Sequence, residues 1–253
     1  MQQTILKDII CSGVGIHSGK VVNMLIRPAP ANSGLTFIRT DIAENNVIEA
    51  NHDNVTETVL STTLSNEHGV KISTVEHLMS AFWGCGIDNA VIEVDSFEMP
   101  IMDGSAAPFV ALIEKAGIKP LKAPRKILEI LKPVKVEMDG KFIELLPAEA
   151  FEVNFNVNFK VIGQQTYSFK ESDQNYPHQV SRARTFGYID EVEYLKSKGL
   201  AQGASLDNAI GISADGVINP EGLRYSDEFA RHKVLDCIGD LYISGLRIKG
   251  AVN

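Results

Sequence analysis

The chain has few cysteines, and their spacing gives no sign of disulfide bonds. Its 253 residues include 3 cysteines, Cys11, Cys85 and Cys237, and none of them belongs to a Cys-x-x-Cys pair. A disulfide scaffold needs paired cysteines, whereas an odd number of scattered cysteines is typical of reduced thiols. The sequence therefore predicts a protein of a reducing compartment such as the cytoplasm.

The chain also has no excess of basic residues and no long apolar run. The chain has 24 lysines and arginines against 32 aspartates and glutamates, a formal net charge of -8. It offers no basic stripe that would neutralise nucleic-acid phosphates. No run approaches the ~18 apolar residues of a membrane span, and the N-terminus lacks the apolar core of a signal peptide. We therefore expect a soluble cytoplasmic protein without nucleic-acid partners or transmembrane segments, and a monomer by default.

The order of predicted elements divides the chain into two halves. In each half, strand patterns come first and helix patterns later, and the best linker between them is the basic, proline-containing stretch 119–125. This order favours an α+β fold over a doubly wound one. We expect a first α+β domain over residues 1–122 and a second over residues 127–253, each a β-sheet layered with helices.

A helix predicted over residues 227–243 organises the second half. Its apolar residues cover much of its circumference, so most of it should be buried. His232, Asp236 and Asp240 recur every four residues and so lie on one face of the helix. Buried charges need partners, and a divalent metal suits an imidazole and a carboxylate one turn apart. A hydrogen-bonded pair at the surface or at an interface is the alternative interpretation of this spacing.

A second predicted helix, which begins at Ser73, carries Glu76 next to His77. Ser73 and Glu76 have the spacing of a capping box, in which the carboxylate only bonds the Ser73 amide, and His77 could equally be a satisfied core histidine. The chain has no His-Glu-x-x-His motif, which excludes a thermolysin-like site. The functional hypothesis that remains is a metal site with two histidines and one aspartate from two distant helices, beside Glu76 as general base.

Several longer motifs occur in order along nearly the whole chain. They are Gly13-Val-Gly-Ile-His-Ser-Gly19, Thr74-Val-Glu-His-Leu78, Gly86-Ile-Asp-Asn89, Pro100-Ile-Met-Asp-Gly-Ser-Ala-Ala-Pro-Phe109, Ala183-Arg-Thr-Phe-Gly187, Gly222-Leu-Arg-Tyr225 and His232-Lys-Val-Leu-Asp236. In these motifs the sequence resembles the UDP-3-O-acyl-N-acetylglucosamine deacetylases, the zinc amidases of lipid A biosynthesis in Gram-negative bacteria. His17 and Asp103 lie inside the motifs, and the resemblance leaves their contacts open.

The resemblance implies both an activity and a more detailed fold. The activity is zinc-dependent hydrolysis of the N-acetyl group of UDP-3-O-acyl-N-acetylglucosamine, a small acylated UDP-sugar, with release of acetate. The fold is two α+β domains packed face to face with the active site between them. The first domain should contain a small β insert, and the second a β-α-β insert over about residues 185–212.

The resemblance also assigns catalytic groups residue by residue. His77, His232 and Asp236 match the zinc ligands, and Glu76 matches the base that takes a proton from the attacking water. Thr185 matches a hydroxyl donor to the tetrahedral oxyanion. Iron in place of zinc stays open, because two histidines and one carboxylate suit either ion.

Further residues match substrate contacts of the family. Lys233 matches a lysine beside the substrate's diphosphate, and a solvated helix lysine is the alternative. Phe186 should pack against the sugar and Phe159 near the uridine, while Leu60 and Ser61 fall where the first insert lines the site. An apolar passage in the second insert should hold the acyl chain. Its expected lining, which could instead only pack the insert on its own domain, is Tyr188, Ile189, Val192, Leu195 and Leu200.

The end of the chain departs from the family pattern. The family uses a histidine as a second proton carrier, on a loop after the strand that begins here at Arg247, and Asp240 matches the carboxylate that orients it. The sequence ends at Asn253, and none of its 6 histidines can replace that group. We therefore expect a truncated chain with weak turnover, since a general acid contributes about 10²–10⁴-fold in rate. The alternative is a catalytically silent module that binds zinc or a nucleotide sugar.

Overall fold

The computed structural model of the protein describes residues 1–171 and 175–253. Strands and helices are mixed, and each sheet in this described part is formed within residues 1–120 or within residues 127–253. The α+β class predicted from the order of elements is confirmed. Among the described helices, none combines the length and the apolar character that crossing a bilayer requires.

The first part of the chain, residues 1–120, builds one larger and two smaller sheets. Its strands are β1 (Gln3–Ile5), β2 (Ile9–Val14), β3 (Val21–Pro28), β4 (Leu35–Arg39), β5 (Val47–Glu49), β6 (Val55–Glu57), β7 (Thr63–Ser65), β8 (Lys71–Ser73), β9 (Ala90–Val94) and β10 (Ile118–Pro120). Its helices are α1 (Glu76–Cys85) and α2 (Ala107–Ala116), and a 3-10 turn covers His52–Asn54. The main sheet has the order β2-β3-β9-β4-β5, the strands β6, β7 and β8 form a second sheet, and β1 pairs with β10.

The second part, residues 127–253, builds the same set of sheets. Its strands are β11 (Ile127–Glu129), β12 (Val134–Met138), β13 (Lys141–Leu146), β14 (Glu152–Phe159), β15 (Gly163–Lys170), β16 (Phe186–Tyr188), β17 (Ile210–Ser213), β18 (Gly216–Val217), β19 (Arg247–Lys249) and β20 (Ala251–Val252). Its helices are α3 (Tyr176–Gln179), α4 (Ile189–Ser197) and α5 (Glu228–Tyr242). The main sheet has the order β12-β13-β20-β14-β15, the strands β16, β17 and β18 form a second sheet, and β11 pairs with β19.

The two main sheets have one topology. Each contains a single parallel pair, β4 with β9 and β14 with β20, and every other neighbouring pair in them is antiparallel. In both parts the chain runs through four strands of the main sheet and then a three-stranded sheet. A helix follows, α1 or α5, and after it comes the central strand of the main sheet, β9 or β20. The order of predicted elements hinted at this duplication, although no repeat is visible in the residues themselves.

Both predicted inserts are present. The β6-β7-β8 sheet is the small β insert of the first part. In the second part, β16 and β17 are parallel and are joined through α4, which is the β-α-β arrangement predicted for residues 185–212. The strand β18 adds an antiparallel neighbour to β17 that the sequence did not indicate.

The core of the first sheet follows from alternation along its strands. In β3, Val22, Met24 and Ile26 are buried while their neighbours face outwards. Met24 lies opposite Val94 and Ile26 opposite Ile92 on β9, so apolar side chains meet across the pairing. Burial of these side chains on one face stabilises the sheet against the helices beneath it.

Two helices join the parts of the molecule. The helix α1 packs along α5 and also against α2, while α5 packs against β14 and β15. A single apolar cluster of buried residues runs through both parts and includes residues of α1 and α5. The contact between α1 and α5 therefore brings together side chains that are far apart in the sequence.

Some local predictions need correction. Ser73 lies in β8 and not at a helix start, and its amide donates to the carbonyl of Phe97. The capping box between Ser73 and Glu76 is therefore wrong, and α1 begins at Glu76 without a side-chain cap. The linker predicted at 119–125 overlaps β10. A division into domains at residues 1–122 and 127–253 stays a prediction.

Candidate metal centre and active site

The site begins with a close crossing of two helices. A Cβ atom built on Gly239 of α5 would overlap the backbone carbonyl group of Glu76, the first residue of α1. Only a residue without a side chain permits this approach. Because the backbones meet here, the side chains at the start of α1 lie beside those in the middle of α5.

Two histidines and one aspartate converge at this crossing. The Nε2 atom of His77 lies 3.5 Å from Oδ1 of Asp236, and Nε2 of His232 lies 3.4 Å from the same oxygen. One ligand atom from each of the three residues lies within 4.8 Å of the others, and no second group of this kind occurs in residues 1–171 and 175–253. The structure thus brings together the three residues that the sequence predicted as metal ligands.

Burial and hydrogen bonding fix the orientation of His232. Only 2% of this residue is exposed, and its Nδ1 atom lies 3.0 Å from the carbonyl oxygen of Ala183. An N–H at Nδ1 that donates to this carbonyl leaves the lone pair of Nε2 directed at the cluster, which is how metal-binding histidines are usually held. The ring of His77, which is 4% exposed, stands almost perpendicular to it, with 87° between the ring planes.

The protonation of the cluster also suits a cation. Burial lowers the pKa of His232 to about 3, so its imidazole is neutral. Burial disfavours the charged form of Asp236 as well, but the charge of Lys233 and the hydrogen bond from His77 hold the pKa of this carboxyl well below its ordinary value. For His77 burial also favours the neutral ring, but the hydrogen bond with Asp236 and the charges of Asp236 and Glu76 together raise its pKa. A buried anion between two imidazoles is a donor set that binds divalent metals.

Glu76 lies next to the cluster and is almost completely buried. Its Oε2 atom accepts a hydrogen bond of 3.1 Å from the backbone N–H of Thr62. Burial raises the pKa of Glu76 to about 8, and while His77 opposes this change, the carboxylates of Asp236 and Asp240 add to it. A carboxyl group whose pKa lies near neutrality beside a metal site is a candidate general base.

Asp240 completes a group of three carboxylates. Its Oδ1 atom accepts a hydrogen bond of 2.7 Å from the hydroxyl of Thr62. Burial raises the pKa of Asp240 to about 6, and although the Thr62 hydrogen bond lowers it, the charge of Asp236 raises it further. Asp240, the third residue of the four-residue spacing, therefore lies at the site but is not one of the three candidate metal ligands.

Lys233 points back to the cluster. Its Nζ atom donates to Oδ2 of Asp236 over 2.8 Å, and it also lies 5.5 Å from the centre of the Phe186 ring. The charge of Asp236 raises the pKa of this lysine against the effect of burial. The Lys233 side chain is still 39% exposed, so its contact with the diphosphate stays a prediction.

Thr185 follows the segment that holds His232. Its backbone N–H donates to the carbonyl of Gly104 over 2.8 Å, which connects it to the first part of the chain. The preceding Arg184 forms a buried ion pair with Glu228, with 2.9 Å between Nε and Oε1. Thr185 is half-buried, and its neighbour Arg184 is bound to Glu228, the first residue of α5, which lies one turn before His232.

A cleft of about 420 Å³ opens onto the site. The lining includes Leu60 and Ser61, as the resemblance implied, together with Glu76, Asp236 and Asp240. Leu60 has φ +68°, a left-handed conformation that is unusual for a branched side chain and turns the loop towards the cleft. The first insert therefore contributes one wall of the cleft.

The aromatic residues predicted as substrate contacts form one group beside His232. The ring centres of Phe159 and Phe186 are 5.4 Å apart, and those of Phe186 and Phe229 are 4.9 Å apart. Phe186 also lies 6.1 Å from the ring of His232. Phe186 is thus near the cluster, whereas Phe159 reaches it only through other rings.

The second insert contains its own apolar cavity of about 250 Å³. Of the five residues predicted to line an acyl passage, Ile189 and Val192 line this cavity. Tyr188 instead donates its hydroxyl to the carbonyl of Lys160. Leu195 and Leu200 are not among the lining residues, and Leu206 and Ile218, which the sequence did not suggest, are found there along with Gly187, Glu193, Lys196, Ala204, Ser205, Ala209, Ile210 and Gly211.

His17 and Asp103 have contacts outside the cluster. The backbone N–H of His17 donates to Oε1 of the buried Glu98 over 2.7 Å. Asp103 accepts hydrogen bonds from Ser105 and from Nη2 of Arg224, at 2.7 and 2.9 Å. Both residues hold loops together in the described structure.

Gly239 and Thr62 are the site residues that sequence reasoning missed. A glycine inside a predicted helix was a usable signal, because a close packing contact is the common reason for one. No local signal existed for Thr62, whose bonded partner Asp240 is 178 positions away.

The fold and the site together define a class of protein. An α+β structure that buries two imidazoles and a carboxylate between two helices, with a second carboxylate at hand, has the features of a metal-dependent hydrolase.

Comparison with known proteins gives the family. Residues 2–253 match the LpxC family, described as UDP-3-O-acyl N-acetylglycosamine deacetylase. The UDP-3-O-acyl-N-acetylglucosamine deacetylase of Shewanella sp. (strain W3-18-1) is 47% identical over 253 residues, which are 98% of this chain and 83% of that relative. The same enzyme of Shewanella baltica (strain OS155 / ATCC BAA-1091) is 48% identical over the same shares. The chain belongs to the LpxC family and is a hydrolytic deacetylase of lipid A biosynthesis, as the motifs predicted.

Proposed function

We propose that the chain removes the acetyl group from UDP-3-O-acyl-N-acetylglucosamine by hydrolysis and releases acetate. The observation that carries this proposal is the convergence of His77, His232 and Asp236 beside the buried carboxyl of Glu76. The names of the relatives supply the substrate. The geometry supplies the groups that an amide hydrolysis needs at one place.

We assign the role of metal ligands to His77, His232 and Asp236. Two imidazoles and one carboxylate are the donor set of catalytic zinc sites with an open fourth position, and they suit Fe²⁺ as well. A divalent cation in this place supplies Lewis-acid polarisation of the amide carbonyl and acidifies a water molecule. The ion pair of Lys233 with Asp236 leaves Oδ1 of Asp236 towards the two histidines.

Glu76 acts as the general base in this proposal. Its carboxylate accepts a proton from the attacking water and can pass it on as the tetrahedral intermediate breaks down. The Thr62 N–H bond fixes one carboxylate oxygen, so the other remains available for the proton. The positive charge of a bound cation would lower the pKa of Glu76 from about 8 and favour its basic form.

Thr185 and Asp240 are assigned to two further steps, stabilisation of the oxyanion and protonation of the leaving amine. The Thr185 hydroxyl, carried on the segment that also holds His232, donates to the carbonyl oxygen of the acetyl group as it becomes an oxyanion, and donors of this kind contribute about 2.7–4 kcal/mol. Asp240 matches the family's carboxylate that orients the second proton carrier, and its side chain lines the cleft and accepts a hydrogen bond from Thr62.

The substrate contacts follow from the walls of the site. Lys233 has three N–H donors and uses one on Asp236, so two remain for the diphosphate. Phe186 offers a ring face to the sugar beside His232, and Phe159 extends that surface towards the uridine. Leu60 and Ser61 contribute a wall of the cleft beside Glu76 and Asp236. The cavity lined by Ile189 and Val192 accepts the acyl chain, and the other predicted passage residues, Tyr188, Leu195 and Leu200, are not part of its lining.

Turnover with and without metal tests the proposal. Acetate release from UDP-3-O-acyl-N-acetylglucosamine is measured on the purified protein, after chelator treatment, and after addition of Zn²⁺ or Fe²⁺. We expect release that chelation abolishes and metal restores. Substrate binding without acetate release under any of these conditions would contradict the proposal and identify a catalytically silent binding module.

A further inference from the structure

We propose that Thr62 is a positioning residue that sets the carboxylates of Glu76 and Asp240 relative to each other. The inference rests on the proposed catalytic roles of these two acids. Thr62 uses two different groups for the task, its backbone N–H towards Glu76 and its side-chain hydroxyl towards Asp240. A single residue thereby connects Glu76 on α1 with Asp240 on α5.

Both hydrogen bonds have donor–acceptor distances in the normal range. The N–H donor of Thr62 lies 3.1 Å from Oε2 of Glu76, and its hydroxyl oxygen lies 2.7 Å from Oδ1 of Asp240. Hydrogen bonds to a charged acceptor are about twice as strong as neutral ones, and those from a hydroxyl are typically short. Only 7% of Thr62 is exposed, so water competes little for either bond.

The loop that carries Thr62 is itself anchored. On one side of Thr62, the hydroxyl of Ser61 lies 2.9 Å from that of Ser73, at the end of β8. On the other side, Thr63 begins β7. The N–H of Val75, directly before α1, donates to the carbonyl of Thr62 over 3.4 Å. Because both neighbours of Thr62 are tied to the segment that leads into α1, its two donors keep fixed places.

The need for such a device follows from the charges. The carboxylates of Glu76, Asp236 and Asp240 line the same cleft, so they repel one another when charged. Without a directed donor, the side chain of Asp240 would turn towards Lys233 or solvent to reduce this repulsion. The Thr62 hydroxyl offers it a partner that keeps it in the cleft beside Glu76.

Two substitutions separate the hydroxyl from the shape of the side chain. Thr62→Val replaces the hydroxyl by a methyl group and keeps the backbone N–H, whereas Thr62→Ser keeps the hydroxyl. For Thr62→Val we expect kcat for acetate release to fall about 10- to 100-fold, with KM within about 2-fold and the metal content unchanged. For Thr62→Ser we expect kcat within about 3-fold of the original. Thr63→Val is the matched control, because Thr63 is also buried and makes no hydrogen bond to either carboxylate.

A double-mutant cycle with Asp240→Asn tests whether Thr62 acts through Asp240. If it does, Thr62→Val lowers kcat in the original protein but has little further effect beside Asp240→Asn. The same cycle measured in urea unfolding does not depend on turnover, and it should show the same coupling. A purely structural threonine would affect both backgrounds equally.

The outcomes distinguish this inference from the proposed function. Full activity of Thr62→Val, a Thr62→Ser variant as impaired as Thr62→Val, or an undiminished effect beside Asp240→Asn would overturn the role of Thr62 alone. If Glu76→Gln remained fully active, the proposed function would fail instead. If the losses in the free energy of unfolding from Thr62→Val and Asp240→Asn simply added up in the double variant, the Thr62–Asp240 contact would be refuted, whatever the activity.

Discussion

The two parts of the molecule share a topology and differ in what covers their sheets. In the first sheet, α2 contacts β2, and the inward residues of β3, β9 and β4 are fully buried. In the second sheet, every residue of β12 is exposed, and β13 exposes its first half. The same strand order thus supports a well-covered sheet in one part and a partly open one in the other.

The comparison also shows how the chemistry is divided. The helices α1 and α5 occupy the same place in the order of elements, directly after the three-stranded sheet and before the inner strand of the parallel pair. The first contributes Glu76 and His77 from its first turn, and the second contributes His232 and Asp236 from its middle and Asp240 from its last turn. The two parts thus share an architecture but contribute different residues to the site. The site forms only where α1 and α5 meet.

The largest effect should come from removing the base supplied by α1. Glu76→Gln keeps the shape and the hydrogen-bond acceptor for Thr62 but cannot take a proton. We expect kcat to fall about 10²–10⁴-fold with the metal content retained, as measured by acetate release and elemental analysis. Glu67→Gln is the control, because the side chain of Glu67 is 86% exposed. Equal activity of both variants would remove Glu76 from the mechanism.

The next effect concerns the ion pair that fixes the start of α5. Glu228 is 0% exposed and binds Arg184, whose neighbour Ala183 holds His232. Glu228→Gln leaves the guanidinium buried without a counter-charge, so we expect the free energy of unfolding in urea to fall by about 3–5 kcal/mol. Glu129→Gln, which breaks the exposed pair with Lys249, should cost less than about 1 kcal/mol. Similar losses for both would contradict the buried pair.

One substitution made in both sheets tests the difference in cover directly. Met24 of β3 is 1% exposed, and Met138 of β12 is 73% exposed. We expect Met24→Ala to lower the free energy of unfolding by about 2–5 kcal/mol through lost burial and a cavity. Met138→Ala should change it by no more than about 0.5 kcal/mol. If both variants lost the same stability, the second sheet would be covered in solution.

The smallest effect should come from the crossing point of the helices. On helix propensity alone, Gly239→Ala would stabilise the protein by about 1 kcal/mol. Because the new methyl group would overlap the backbone of Glu76, we expect instead a loss of about 1–3 kcal/mol in urea unfolding, together with weaker metal binding. A stabilised variant with unchanged metal affinity would show that the helices do not need this contact.

Motifs and helical spacing predicted much of the site. The four-residue spacing of His232, Asp236 and Asp240 placed them on one face of a helix, and the structure gives that helix as Glu228–Tyr242. The β-α-β insert was predicted in the right place by the resemblance to the family, which rests on short local motifs. Such features are encoded within a few turns of chain, so a single sequence reveals them.

The remaining features depend on contacts between distant segments. Ser73 has the spacing of a capping residue, but pairing with β7 takes it into a strand, which overrides the local preference. The bonds of Thr62 and the overlap at Gly239 arise from how α1 settles on α5. Side chains of the acyl cavity depend on the shape of the insert, and so Leu206 and Ile218 were not foreseen.

Elemental analysis of the purified protein and of His232→Ala tests the central claim most directly. The account predicts about one equivalent of bound divalent metal per chain in the original protein and almost none in the variant, because α1 and α5 must both supply ligands. His52→Ala is the control, since the side chain of His52 is 76% exposed, and it should keep its metal. Equal metal in the original protein and in His232→Ala would contradict a site shared between the two helices.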